Sequence, residues 1–339
     1  MTWDVDYLRD NRDENMGFLS KTLLPDGTEI PGTNFDYNYL QHRKVDVVSS
    51  ALDFILPFEK YKITAGAKVS FTNTRNGINY DTSDPTLVQD DYFRYKEQIY
   101  ALYADYSREY SERFSMQLGL RMEHTCTTGI SEAKDTEDKH DYTRLFPTVY
   151  LLYSPTDGHA LNFSFSNRIS RPSQNMVNPF PFYQNKYTYA CGREDLKPSY
   201  TYNAELGYTL KNNFNVSAYY SYSDDVFFQV VDLDAETNVT SFLWENFMQT
   251  HAFGLNNSYT FRTKWLQTYA QHGVSYRRTT SSAATTSPEE KGWAYNASLR
   301  NTFFFNEKKT LLATLSSSYS SRQYQGIYLM SPTYSISAG

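Results

Sequence analysis

The 339-residue sequence contains no run of about 18 consecutive apolar residues, so a transmembrane helix is excluded. A membrane is not, because a barrel strand crosses with ~9–11 residues and is apolar on one face only. Met1-Thr2-Trp3-Asp4 carries neither the charged region nor the apolar stretch of a secretory signal. The two cysteines, Cys126 and Cys191, are compatible with a disulfide in an oxidising compartment and equally with two free thiols. A net charge of −6 offers no basic stripe for nucleic acid. The six histidines (His42, His124, His140, His159, His251 and His272) show no His-Glu-x-x-His spacing, and Cys-x-x-Cys is absent, so a zinc site is not indicated. No Gly-x-Ser-x-Gly elbow accompanies the serines. No catalytic residue, cofactor or enzymatic activity is expected. The acidic segment 131–141 lacks the sixth-position glycine of an EF-hand and reads as a solvated loop tip.

Aromatic side chains, by contrast, are abundant: 31 Tyr and 22 Phe, in a chain whose mean hydropathy is only −0.63. Such a balance suits strands with one face on lipid and the other on water, with Tyr at the headgroup boundary. The pattern agrees. Tyr202, Ala204, Leu206, Tyr208 and Leu210 alternate with Asn203, Glu205, Gly207 and Thr209; after Lys211-Asn212-Asn213 the alternation resumes with Phe214, Val216, Ala218, Tyr220 and Tyr222. A period of two separated by a tight turn is a β-hairpin. Similar units begin near residues 42, 62, 98, 114, 141 and 159, and further strands are expected at 238–262, 265–279, 292–306 and 309–321, with the start of another at 331–339. On this parity Leu206, Tyr208, Val216 and Ala218 face lipid, and Asn203, Glu205 and Ser217 face inward.

Short connections near 57–60, 108–112, 155–158, 211–213, 262–265 and 306–309 alternate with long ones over 8–38, 77–91, 131–141, 171–197, 223–240 and 280–291. Short periplasmic turns opposite long extracellular loops are the mark of an outer-membrane barrel. The fold expected is therefore all-β: an antiparallel transmembrane β-barrel of the outer-membrane type. The thirteen or fourteen strands read from parity stop within an apparent strand at Tyr334–Gly339. Closure must cover every edge, so a partial barrel, truncated at its C-terminus and in all expectation at its N-terminus, is anticipated.

The ordered segments Phe93-Arg94-Tyr95-Lys96-Glu97, Gly119-Leu120-Arg121-Met122-Glu123, Leu145-Phe146-Pro147, Arg168-Ile169-Ser170-Arg171-Pro172, Asn178-Pro179-Phe180, Leu196-Lys197-Pro198 and Glu205-Leu206-Gly207-Tyr208 carry a resemblance. From about residue 40 onward the chain resembles the C-terminal barrel portion of TonB-dependent receptors of the Bacteroidetes outer-membrane β-barrel family. It departs from that pattern at Gly192-Arg193-Glu194-Asp195, where a Gly-Asn-Pro type of turn is usual. The resemblance implies a 22-strand barrel in the cell outer membrane of a Gram-negative bacterium, of which residues 1–339 form one barrel domain. It also implies an N-terminal plug, a signal peptide, a TonB-engaging box and a final strand or strands, none of which the sequence shows. The function implied is TonB-coupled uptake of a glycan, metal chelate or peptide. The partners implied are outer-membrane lipids, the TonB complex through a plug domain, and a surface lipoprotein. The alternatives are a passive or structural barrel complete as it stands, and a soluble β-rich binding protein.

Eight residues are candidates for ligand contact. Arg168 has inward parity at the loop end, and Arg171 precedes a strand-breaking Pro172. Each guanidinium suits an anionic ligand or a plug contact; the structural reading is a salt bridge inside the wall, with Glu123 or Glu205. Arg121, Glu123 and Glu205 form an inward polar row, which a watery lumen requires in any case. Phe180, Tyr183 and Tyr187 lie on the 172–197 loop, where aromatics either stack on a flat ligand or pack the loop onto the rim.

Overall fold

A computed structural model describes residues 1–31, 33, 35–82 and 90–339. Fourteen strands follow one another in a single path, each antiparallel to its neighbours: β1 (Thr2–Ser20), β2 (Phe35–Pro57), β3 (Lys62–Thr82), β4 (Asp91–Ser111), β5 (Phe114–Ser131), β6 (Thr136–Tyr153), β7 (His159–Ser170), β10 (Ser199–Leu210), β11 (Phe214–Asp234), β12 (Val239–Arg262), β13 (Leu266–Ser281), β14 (Glu289–Phe304), β15 (Leu312–Ser320) and β18 (Thr333–Ala338). Between β7 and β10 the chain forms α1 (Gln174–Val177), β8 (Phe182–Asn185) and β9 (Thr188–Cys191); β16 (Gln323–Gln325) and β17 (Tyr328–Met330) make a small separate hairpin. Among the described residues β1 pairs only with β2 and β18 only with β15, so the wall has two free edges.

The register places the parity set as expected. Leu206 stands opposite Phe163 and Ala218, and Tyr208 opposite Leu161 and Val216, on one face. Glu205 lies opposite Ser164 and Tyr219, and Asn203 opposite Ser166 and Ser221, on the other. The outer face leaves Leu102, Leu118, Leu120, Met122, Leu206 and Leu255 exposed, which a wall in contact with lipid requires. At the short-turn end the Leu210–Asn213 turn is closed by the Asn213 N–H on the Leu210 carbonyl at 3.0 Å, with Lys211 and Asn212 both left-handed at φ 50° and 56°. Two successive left-handed residues make the type I′ turn that matches the twist of a hairpin.

Three of the long loops read from the sequence are mostly strand. Residues 8–20 belong to β1; β5 and β6 extend to Ser131 and from Thr136; β11 and β12 extend to Asp234 and from Val239. Left-handed Asp135 (φ 50°) and Asn238 (φ 56°) close these two hairpins tightly. The reason is physical. β2 and β12 run for 23 and 24 residues, whereas ~9–11 suffice to cross hydrocarbon. Beyond the membrane both faces are wet, the alternation fades, and a polar strand reads like a loop. Of the 77–91 loop, residues 83–89 lie outside the described residues, and 77–82 belong to β3.

A substitution at the outer face tests this orientation. Leu206→Arg is expected to destabilise the folded wall by about 2–4 kcal/mol near the bilayer midplane, measured by denaturant unfolding from lipid vesicles. A cost below about 0.5 kcal/mol would place Leu206 on water.

Candidate functional site

The 171–198 connection does not stay outside the wall. It folds inward and spans the interior. On one side Val177, Phe180 and Leu196 join Phe35, Tyr37, Tyr39, Ile78 and Phe93 of β2–β4 in the main buried cluster. On the other, β9 pairs in parallel with β12 through Thr188–Thr240 to Cys191–Leu243. The connection is also tied to itself. The Gly192 N–H donates to the Asn178 carbonyl (2.9 Å) and the Arg193 N–H to the Met176 carbonyl (2.8 Å). A Cβ at Gly192 would lie 2.2 Å from the Asn178 oxygen, so the close approach requires glycine. At its far end the Asn246 amide accepts from the Lys197 N–H (2.8 Å) and donates to the Lys197 carbonyl (2.9 Å) and to the Asp225 carbonyl (2.7 Å). Arg193 pairs with Asp195 and Glu245 at 2.6 and 2.8 Å.

The root of the connection is held by charge. Arg171, just past the end of β7, pairs with Glu123 of β5 two strands along the wall, donates to Thr125 at 3.3 Å and lies 3.6 Å from Glu97 of β4, while its buried Nε has no hydrogen-bond partner among the described residues. Arg121 binds the same Glu123, with Nε at 2.9 Å. Glu123 is only 4% exposed, so its carboxylate depends on these two guanidinium groups. The network sits where the wall divides. β6 pairs with β7 only over Thr148–Tyr153. Pro147, just above, has no N–H to give to a ladder. There the Asn167 side chain donates to the Leu145 carbonyl (3.3 Å) and Arg144 covers the Tyr200 ring at 4.8 Å. A hollow of about 340 Å³, lined by Tyr95, Glu97, Tyr142, Arg171 and Tyr200 among others, opens beside it.

A second inward hollow of about 300 Å³ lies between the connection and β1–β2, lined by Arg12, Glu14, Tyr39, Arg43, Phe182 and Trp244. Arg12 and Arg43 are register partners. Arg43 contacts Asp10 at 3.4 Å and Arg12 contacts Glu14 at 3.7 Å, and the buried Arg43 Nε has no hydrogen-bond partner among the described residues. This hollow combines two cations, aromatic walls and an unused donor.

Of the candidates from the sequence, Arg121, Glu123 and Arg171 come together in one network, with Arg171 in the salt-bridge role. Arg168 is exposed and makes no ion pair among the described residues. Glu205 lines a separate inner hollow of about 220 Å³. Phe180 is buried at 3% exposure, and Tyr183 packs on Tyr37 (5.1 Å) and Tyr189 (5.4 Å); Tyr187 alone of the three is exposed. Sequence reasoning missed Arg12, Arg43, Tyr39 and Trp244. No local signal marked them: Arg12 lies in a stretch of β1 without alternation, and the hollow forms only when β1 pairs with β2. The two cysteines are free: Cys126 shares the outward parity of Met122, whereas Cys191 is in the inward connection with its thiol on the Pro179 carbonyl at 3.0 Å. Burial pushes the Cys191 thiol and the nearby Glu194 carboxyl up, against the Thr136 hydroxyl bond that lowers the latter. On the outer face His124, Cys126 and Asp141 meet through contacts of 3.3 Å (to sulfur) and 3.2 Å (to carboxylate), a grouping their sequence spacing did not reveal.

A model of the outer membrane protein beta-barrel family matches residues 1–339. A search of curated proteins found no match. Among solved structures the chain is similar to the copper transporter OprC, at 13% identity and TM-score 0.64 over 97% of this chain and 56% of that one. It is similar to the ferripyoverdine receptor of the outer membrane of Pseudomonas aeruginosa at 14% and 0.57, over 98% and 47%. The siderophore receptor PiuA from Acinetobacter baumannii matches at 12% and 0.56, over 97% and 57%. At such identity the likeness is one of fold. The chain spans about half the length of these structures.

If Arg171 anchors the connection, Arg171→Ala loosens residues 172–198 before the wall. We expect a loss of about 3 kcal/mol, the lower end for breaking a buried pair because Arg121 still serves Glu123. Limited proteolysis should cut the connection faster, and adding Glu97→Gln should recover part of the loss. An unchanged cleavage rate would rule out the anchor.

Proposed function

Because the chain belongs to the outer membrane protein β-barrel family, we propose that it is the barrel portion of a TonB-dependent receptor that takes up a ligand across the outer membrane. It is an outer-membrane β-barrel chain, and its fold is that of receptors and transporters. The observation that carries the proposal is the inward connection, which crosses the lumen and shapes a polar hollow on each side instead of leaving an open bore. A ligand bound at such a mouth cannot simply diffuse through; coupled energy, delivered by TonB through a plug domain, supplies the displacement. The two free edges support a wall larger than fourteen strands, since an unpaired edge in hydrocarbon leaves backbone groups unsatisfied.

Within the classes glycan, metal chelate and peptide, the hollow at Arg12, Arg43, Tyr39 and Trp244 fits best a metal chelate bearing anionic groups. Guanidinium donors bind carboxylates and other oxyanions directionally, and the aromatic rings take the flat chelating parts. A surface lipoprotein that delivers the ligand is a compatible partner. Uptake of a copper species or a siderophore, as the names of the structural neighbours indicate for those proteins, falls within this class.

The ligand class is tested with ferric chelates and neutral oligosaccharides in detergent, following tryptophan fluorescence. Ferric chelates should quench in the wild type, and the quench should shrink in Trp244→Phe and require about tenfold more ligand in Arg43→Gln. Binding of oligosaccharide alone would reject the chelate. Coupling is tested separately. Polypeptide recovered from native outer membranes should exceed 339 residues and bind the periplasmic domain of TonB. A native product of this length that conducts passively in planar bilayers would refute the receptor reading.

A further inference from the structure

On the outer face of the wall, at the long-loop end, three cations stand directly opposite one another on adjacent strands. Lys44 of β2 is the register partner of Arg75 of β3, and Arg75 is the partner of Arg94 of β4. One step nearer the membrane, Lys96 of β4 opposes Asn73 and Thr128. All four are half-buried. Directly opposed side chains have Cβ atoms about 4.5–5.5 Å apart, and like charges there repel. Asp46, two residues along β2 from Lys44, feels its charge, but the nearby acids are largely engaged elsewhere. Asp46 is taken by Arg9 at 2.6 Å, Asp13 by His42 at 2.8 Å, and Glu137 by Lys139 at 2.9 Å. Asp90 accepts from the Tyr80 N–H at 2.8 Å. Arg94 Nε donates to the neutral Asn73 amide at 3.2 Å. Lys44, Arg75 and Lys96 have no ion-pair partner among the described residues.

The position of the row says what relieves it. Along β3 it lies four residues beyond Phe71, about 13 Å at the strand rise. Phe71 stacks edge-on against Tyr100 at 5.8 Å, at the upper margin of the outward apolar band that includes Val69, Leu102 and Leu120. A step above aromatic residues at the hydrocarbon boundary is the depth of lipid headgroups. The wall is also concave there. A hollow of about 900 Å³ runs over Gly77, which contributes no side chain, with His42, Lys44 and Arg75 on its walls and Asp13, Asp90, Asp91 and Glu132 lining it as well.

We infer that the Lys44–Arg75–Arg94 row, with Lys96, is a binding site for the phosphate groups of an outer-leaflet glycolipid. The acyl chains lie on the apolar band below and the phosphates bridge the cations, turning a repulsive row into a set of charge-assisted hydrogen bonds. The inference rests on reading this wall as lipid-facing and adds a specific headgroup site to it.

The test uses the full chain, delipidated in neutral detergent, and titrates diphosphorylated lipid A, its dephosphorylated form and inorganic pyrophosphate. Diphosphorylated lipid A should bind selectively, more weakly at high salt. The triple variant Lys44→Gln, Arg75→Gln, Arg94→Gln should lose about 100-fold in affinity. Lys44→Arg with Arg75→Lys should retain binding, which guards against misfolding of the neutral variant, and Lys68→Gln on the inner face should change nothing. Equal binding of the dephosphorylated lipid, indifference to the triple variant, or pyrophosphate binding as tightly as the lipid would each overturn the inference. A protein that stays monodisperse without detergent would instead overturn the lipid-facing wall; one that needs detergent yet ignores the phosphates fails only at this site.

Discussion

Hydrocarbon offers no partner to a backbone N–H or C=O, and each one left unpaired costs several kcal/mol. Everything else in the wall follows from meeting that demand between neighbouring strands. A strand that pairs on both sides has only its two faces left to vary, so the chain is forced into period two. Leu206 and Tyr208 go to lipid while Asn203 and Glu205 go to the lumen. The same demand explains why connections are confined to the two ends, and why the ends differ. The Lys211-Asn212 turn needs only to reverse the chain, whereas the connections opposite are free to grow, because water satisfies whatever they leave unpaired.

The constraint also explains which parts of the molecule were legible in the sequence. Where one face meets lipid, alternation is strong, and the 202–222 hairpin and most strands could be read directly. Where strands rise into water on both faces, as in Arg9–Gly17 of β1 or Thr136–Asp141 of β6, no parity survives and the residues resemble loops. The candidate site suffered most from this. Arg121 and Glu123 were visible as an inward pair because Leu120 and Met122 frame them. Arg12 and Arg43 were not, since their shared hollow exists only once β1 is known to pair with β2. The inward course of the 171–198 connection depends on contacts between distant segments, such as Phe180 with Phe93 and β9 with β12, which local pattern does not encode.

Within the lumen a different economy applies. Water is present but displaced by the connection, so polar groups there must find partners or be exposed at a cost. Glu123 illustrates the first outcome, with two guanidinium groups on one nearly buried carboxylate. Arg43 illustrates the second, with a buried donor left over beside aromatic rings. The Arg121–Glu123–Arg171 network holds the connection in place, although its Arg171 Nε, like Arg43 Nε, is buried without a hydrogen-bond partner among the described residues. A buried donor left unpaired in this way retains interaction energy that a ligand can claim.

The same reasoning applies to the outer face. Lys44, Arg75 and Arg94 pair perfectly as backbone and badly as side chains. The ladder fixes them opposite one another, and no rotation of the strands can separate them without shifting the register, which would send every lipid-facing residue of those strands inward. No acid stands within the row itself, and at the inferred site an anion from outside the chain supplements the neighbouring Asp46 and the carboxylates around the hollow. At the depth of the headgroups, the most concentrated source of anions is the membrane itself. The backbone demand that builds the wall thus also dictates where the wall must be completed by lipid.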